Sequence, residues 1–237
     1  MSFTQRILYF EGTRPFTDGL GVSPCLPIPD VTFAVTQPDY IAALLSIIVG
    51  LGLTDLAKSL RELVRPQRRV DWHWLPLLWA ATTFLLAIQV WWNSFSFLKG
   101  ATSEFFFPYL TAFLLLYLTC AFALPDPEWE KPWASPEESS SPGSVLDLKA
   151  FHFSTVHRRW FFGVLIAFIV TFQIGSQTAR AVGGSFGINE QEILMNGASV
   201  VLFGTLILTD RWWIHVPISV IYFLAVGLGT VSSIFGF

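Results

Sequence analysis

Six stretches of the chain are apolar over close to the length needed to cross a bilayer: Tyr40–Leu56, Leu75–Trp92, Phe105–Leu124, Trp160–Ala179, Ile193–Thr209 and Trp212–Phe235. A hydrocarbon core of about 30 Å takes ~20 residues of helix, with a range of ~17–25. Five of the six hold no Asp, Glu, Lys or Arg, and the exception is Asp55 at the end of the first. In hydrocarbon every backbone polar group must be satisfied internally, and a helix does so within its own segment. The expected fold class is therefore all-α, a polytopic membrane protein built as a six-transmembrane-helix bundle.

Charge is scarce in a way that supports this. Charged residues make up 13% of the chain, against ~25% in soluble domains, because each one at a helix centre costs ~2.5–3.5 kcal/mol on insertion scales. Six spans in 237 residues leave room for one membrane domain over 39–237, preceded by an irregular external segment over 1–38. A net charge of −3 gives no footing for nucleic acid. Cys25 and Cys120 are expected at opposite ends of the bundle, too far apart for a disulfide, and two lone cysteines make no metal site. Met1–Phe10 lacks the apolar run of a signal peptide, so the first span is expected to direct insertion.

The basic residues set an orientation. Ten of the fourteen Lys and Arg lie in the connections after spans one, three and five, with Lys58, Arg61, Arg65, Arg68 and Arg69 the densest group. The positive-inside rule places those connections in the cytoplasm and both termini outside. A bacterial inner membrane is the expected location. Trp72, Trp74, Trp91, Trp92, Trp160, Trp212 and Trp213 bracket the spans, where amphipathic rings favour the headgroup level.

Between the spans the chain changes character. The prolines and glycines of Met1–Pro38 forbid a long helix, and Thr32–Val35 could form a short strand or plug. The first helix is expected to run on past Asp55 through Leu56, Leu60, Leu63 and Val64 as far as Pro66. Pro125–Gly143 is rich in Pro, Ser and acids and reads as a disordered linker. The 125–159 region then closes with a helix start at Ser144-x-x-Asp147, followed by Leu148, Phe151 and Thr155 on one face. That pattern predicts a short helix at the cytoplasmic interface. His152 and His157 on it are expected to be solvated.

The residues that could carry chemistry cluster at the outer ends. Gln89 and Asn93, Gln173 and Gln177 with Arg180, and Glu192 with Asn196 and Ser199 stand at helical spacings that put each set on one face. Glu104 is expected at the same depth. Such groups avoid lipid tails and should turn inward and meet, with Arg180 neutralised by Glu104 or Glu192. The set could line a polar, outward-facing cavity for a small solute or ion, or could be hydrogen bonding that holds the helices together at ~0.6 kcal/mol per bond. Asp55 and Asp210 mark the cytoplasmic end, too shallow for the midplane carboxylate of a proton-coupled carrier. His73 and His215, at similar depth, could ligate a haem or one metal ion, or could simply mark helix starts beside tryptophan.

No phosphate-loop, zinc-protease or nucleophile-elbow signature occurs. An enzyme is the less favoured reading, and no cofactor is expected. Three function classes remain: a small-solute or ion transporter or channel, a non-catalytic accessory subunit of a larger membrane complex, and a membrane enzyme or haem protein using His73 and His215. The expected partners are the lipid bilayer and either further copies of the chain or other subunits.

Overall fold

The computed structural model describes residues 37–64, 69–98, 106–125, 145–182 and 190–236. The expectations for residues 1–36, for Glu104 and for most of the Pro125–Gly143 linker fall outside these residues. Among the described residues there are seven helices and two short strands: α1 (Gln37–Val64), β1 (Arg69–Asp71), α2 (Trp74–Leu98), α3 (Phe106–Phe122), β2 (Val145–Asp147), α4 (Leu148–Phe153), α5 (Thr155–Val182), α6 (Glu190–Leu208) and α7 (Trp212–Phe235).

Five helices are long and apolar enough to cross a membrane: α1, α2, α5, α6 and α7. The third apolar segment forms a shorter helix, the 17-residue α3, about 25 Å long at 1.5 Å per residue. The difference from the expected six lies at its ends. Phe105 is outside the described helix, and Ala123 and Leu124 turn away from it, with the Ala123 N–H donating to the Cys120 carbonyl at 3.3 Å. Helix α1 runs to Val64 over 28 residues, as the continuing leucine pattern predicts, and Leu56 and Leu63 are buried.

Lipid tails are as apolar as leucine, so helices in a bilayer associate through close packing and polar contacts rather than by escape from water. Helix α3 is the hub of that packing. Tyr109, Ala112, Phe113, Leu116, Thr119 and Cys120 are buried along its length, and it lies against α1 and α5. Both contacts use a glycine on the facing helix. A methyl at Gly52 would stand 3.4 Å from the Cys120 side chain and from the Tyr117 backbone, and one at Gly175 3.5 Å from the Tyr109 ring.

Helix α2 pairs with α7 instead. Trp79 meets Tyr222, the Leu85 carbonyl meets the Thr230 hydroxyl, and the Trp92 indole donates to the Ser233 carbonyl at 3.1 Å. Both residue series rise together, so the two helices run parallel, as two helices with an even number of turns of direction between them must. Trp79 is also where the pairs converge. Its ring lies 4.9 Å from Phe162 and 5.7 Å from Phe161 on α5, 5.8 Å from Phe203 on α6 and 5.9 Å from Tyr222 on α7.

Most hydroxyls within the helices stay quiet. Ser46, Thr54, Thr82, Thr83, Ser94, Thr119, Thr178 and Thr205 each donate to the carbonyl four residues back, within their own helix, and Ser46 also accepts from the Trp91 indole of α2 at 3.0 Å.

Strands β1 and β2 pair in parallel, Arg69 with Val145, Val70 with Leu146 and Asp71 with Asp147. A two-stranded ribbon is marginal alone, and here Val70 and Leu146 pack against the core. The ribbon ties the α1–α2 connection to the α3–α4 connection. Where Ser144 was expected to open a helix, residues 145–147 are strand, and Asp147 is the cap: its Oδ1 accepts from the Ala150 N–H at 2.9 Å. The helix that follows turns Leu148, Phe151 and His152 into the bundle.

Candidate functional site

Two polar clusters occupy opposite ends of the α5–α6 pair. At the end formed by the C-terminus of α5 and the N-terminus of α6, Arg180 pairs with Glu192. The Ser176 hydroxyl donates to Glu192 Oε1 at 3.3 Å and to the Gln173 carbonyl at 2.9 Å. The Asn196 amide donates to Gln173 Oε1. The two sets of residues, spaced by three and four on their own helices, thus face each other across one seam. Tyr109 from α3 lies within electrostatic range of Arg180 and Glu192. Two amide nitrogens in this cluster, Gln173 Nε2 and Gln177 Nε2, are buried and meet no acceptor among the described residues. An unmet donor in a buried site is costly, of order 1–3 kcal/mol, unless a ligand or water supplies an oxygen.

The other residues of the expected outer set are elsewhere. Gln89 lies on the α2–α7 seam, where a methyl on Gly229 would come within 2.8 Å of its Nε2. Asn93, one turn further on, is half-buried. Ser199 bonds back to the Met195 carbonyl on an exposed part of α6. Ser176 and Tyr109 are the members of the seam that sequence spacing did not single out. Ser176 lies between Gln173 and Gln177 in the α5 sequence and is fully buried, a signal available in the helical periodicity. Tyr109 is brought in by α3 packing alone.

The opposite cluster is built where β1, β2, α4 and the α6–α7 turn meet. Arg158, buried at 3% side-chain exposure, pairs with Asp210, whose side chain is 78% exposed. It also donates to the Thr209 carbonyl at 2.5 Å. His215 Nε2 meets the same carbonyl at 2.7 Å. Two side chains therefore close the C-terminal end of α6, whose last carbonyls have no partner within the helix.

His152 and His157 differ from expectation. His152 is 1% exposed, and its ring stands 5.4 Å from that of His215 and 6.3 Å from that of His157. Burial is the largest cause that lowers the His152 pKa well below its ordinary value, followed by His157, His215, His73 and Arg158 around it. It is held neutral, with Nε2 unpartnered among the described residues.

His73 stacks on Trp74 at 6.3 Å. Burial and the Lys149 charge lower its pKa, against the opposing pull of Asp147 and Asp71. The rings that meet His215 are those of His152, Phe153 and Phe162. Among the described residues no group of three or more His, Cys, Asp or Glu is arranged to hold a metal ion. Asp55 lies on α1 within electrostatic range of Tyr117 of α3, so the two boundary acids serve different helix pairs.

Comparison of the chain with protein-family models, with curated proteins and with solved structures finds no match in any of the three.

Proposed function

We propose that this membrane protein spans the bilayer six times, with α3 as the short third span, and binds a small polar solute at the α5–α6 seam as a transporter or channel. The observation that carries the reading is the pair of buried amide donors, Gln173 Nε2 and Gln177 Nε2, beside the Arg180–Glu192 ion pair. Ionisable and polar groups within spans are expensive and mark ligand pathways by default. Two donors in search of an acceptor favour a solute that presents oxygen, such as a carboxylate or carbonyl compound.

The test is solute uptake into proteoliposomes, with thermal stability measured on the same variants. Gln173→Leu and Gln177→Leu are expected to abolish flux or solute protection while the protein still folds. Unchanged flux with lower stability would make the seam structural.

A second reading is a non-catalytic subunit of a membrane assembly, or a homo-oligomer. Helix α6 supports it, because Leu194, Val201 and Leu208 are 72%, 69% and 86% exposed. A methyl at Gly197 or Gly204 would meet nothing within 4 Å, which leaves that face open for a second helix to approach closely. Co-purification of further chains, with no solute effect, would favour this reading.

The proposed orientation, with both termini outside, rests on the Lys and Arg bias. It predicts that a cysteine placed at Ser139–Ser141 is protected from impermeant thiol reagents in intact cells. Labelling there would reverse the orientation.

A further inference from the structure

A cleft of about 320 Å³ lies at the end of the bundle opposite the α5–α6 seam, lined by Asp147, Lys149, Ala150, Phe153, Asp210 and Trp212. We propose that this cleft seats the zwitterionic headgroup of a membrane phospholipid, with the lipid ammonium between Asp147 and Asp210 beside the Trp212 ring and the phosphate on Lys149.

Depth is the first argument. The cleft sits between the last residue of one apolar helix, Leu208, and the first of the next, Trp212. That is the level at which a bilayer gives way to headgroups, and a tryptophan there is an interfacial anchor.

Charge is the second. Lys149 is exposed and makes no ion pair among the described residues. Asp147 uses Oδ1 to cap α4, and its other oxygen has no partner among the described residues. Asp210 is balanced from behind by the buried Arg158. Two acids and two bases leave the cleft formally neutral but with its charges separated. A simple anion would meet two carboxylates and a simple cation would meet Lys149. A zwitterion satisfies both signs at once. Aromatic walls add to the selection, because an ammonium is attracted to the electron-rich face of a tryptophan ring.

Size and surroundings are the third. The volume is at the low end of small-molecule sites, roughly 300–1,000 Å³, which suits a headgroup without its acyl chains. Apolar surface for those chains is adjacent: Leu208 and Trp213, within two residues of the cleft walls, are 86% and 81% exposed.

The experiment is native mass spectrometry of the full-length, detergent-purified protein after incubation with mixed micelles of phosphatidylethanolamine and phosphatidylglycerol in equal amounts. Phosphatidylethanolamine is expected to be retained preferentially. Its occupancy should fall by about tenfold in Lys149→Gln and in Trp212→Leu, the loss of one charge-assisted or aromatic contact. Both variants keep the Arg158–Asp210 pair, and Lys149 is exposed, so Lys149→Gln should unfold at the wild-type temperature and stands alone if Trp212→Leu does not fold. Equal retention of the two lipids, or no change in Lys149→Gln, overturns the proposal. Displacement of nothing by lipid but stabilisation by soluble phosphoethanolamine would also overturn it, because the ligand would then be a free solute.

Discussion

Arg158 and Arg180 stand near the two ends of α5, and each meets an acid at one end of α6, yet the two pairs occupy different surroundings. Arg180 and Glu192 are alike, 26% and 24% exposed. Arg158 and Asp210 are unlike, 3% and 78%. In both cases the sign suits the helix: an acid in the first turn of α6 and a base against its last carbonyls complement the macrodipole. Position relative to the dipole is thus shared, and burial is what separates the pairs. The Arg180–Glu192 pair keeps about a quarter of each side chain in contact with solvent, so a lost partner is more readily replaced by water there. A buried guanidinium cannot, so its partner matters more than the arginine itself.

This difference is open to direct tests. The largest effect is expected from Asp210→Ala, which strands a buried charge and should cost up to about 3 kcal/mol. Arg158→Met should cost less, because the freed Asp210 is already in solvent. Urea or thermal unfolding in detergent measures both, and the reverse order would break the argument.

Acid should act next, at the Arg158 end. The pKa of His152 in the folded protein lies below its ordinary value of 6.5, so the unfolded chain takes up the proton first. The stability this residue contributes is therefore complete above about 6.5 and is lost as pH falls through that value towards the folded one. Its surroundings, His157, His215, His73 and Arg158, carry no opposite charge to offset the proton. His152→Phe should flatten the acid limb of a stability–pH profile, and an unchanged limb would assign the loss to other groups.

At the other end Glu192→Gln should cost only about 0–1 kcal/mol, unless solute is present. A ligand that binds the folded state adds stability with its concentration, so the gap between wild type and Glu192→Gln should widen in the presence of a bound solute. The smallest effect is expected at the α2–α7 seam. The methyl of Gly229→Ala would meet Gln89 Nε2 at 2.8 Å, but that atom ends a flexible side chain that can swing aside. A change within about 1 kcal/mol is expected, and a larger one would mean that Gln89 is held in place.

How far these features were legible beforehand depends on the range of the interaction. Helix existence and extent follow from local hydropathy, and α1 reaches Val64 because Leu56, Leu60 and Leu63 continue the pattern. The Arg180–Glu192 pairing was readable as one of two, because Arg180, Glu104 and Glu192 fall at one depth once the spans are drawn. Gln89 shares that depth but not that seam, because which helix neighbours which is not encoded in spacing. His152 and His157 look like residues of a wet linker when read along the chain. The burial of His152 requires α4 to dock on α2 and α5, which in turn requires the ribbon that joins Arg69–Asp71 to Val145–Asp147 across two intervening helices.

The amino-acid sequence by itself determined that this chain is helical and membrane-embedded, because a run of uncharged apolar residues has one way to satisfy its backbone in hydrocarbon. The tertiary structure alone decided the partners: α3 at the centre between α1 and α5, α7 beside α2, and two polar clusters at the ends of α5 and α6. In lipid those choices turn on small residues that permit close approach and on a few hydrogen bonds and ion pairs between helices. Such contacts depend on which surfaces meet in three dimensions, and a linear pattern does not contain that information.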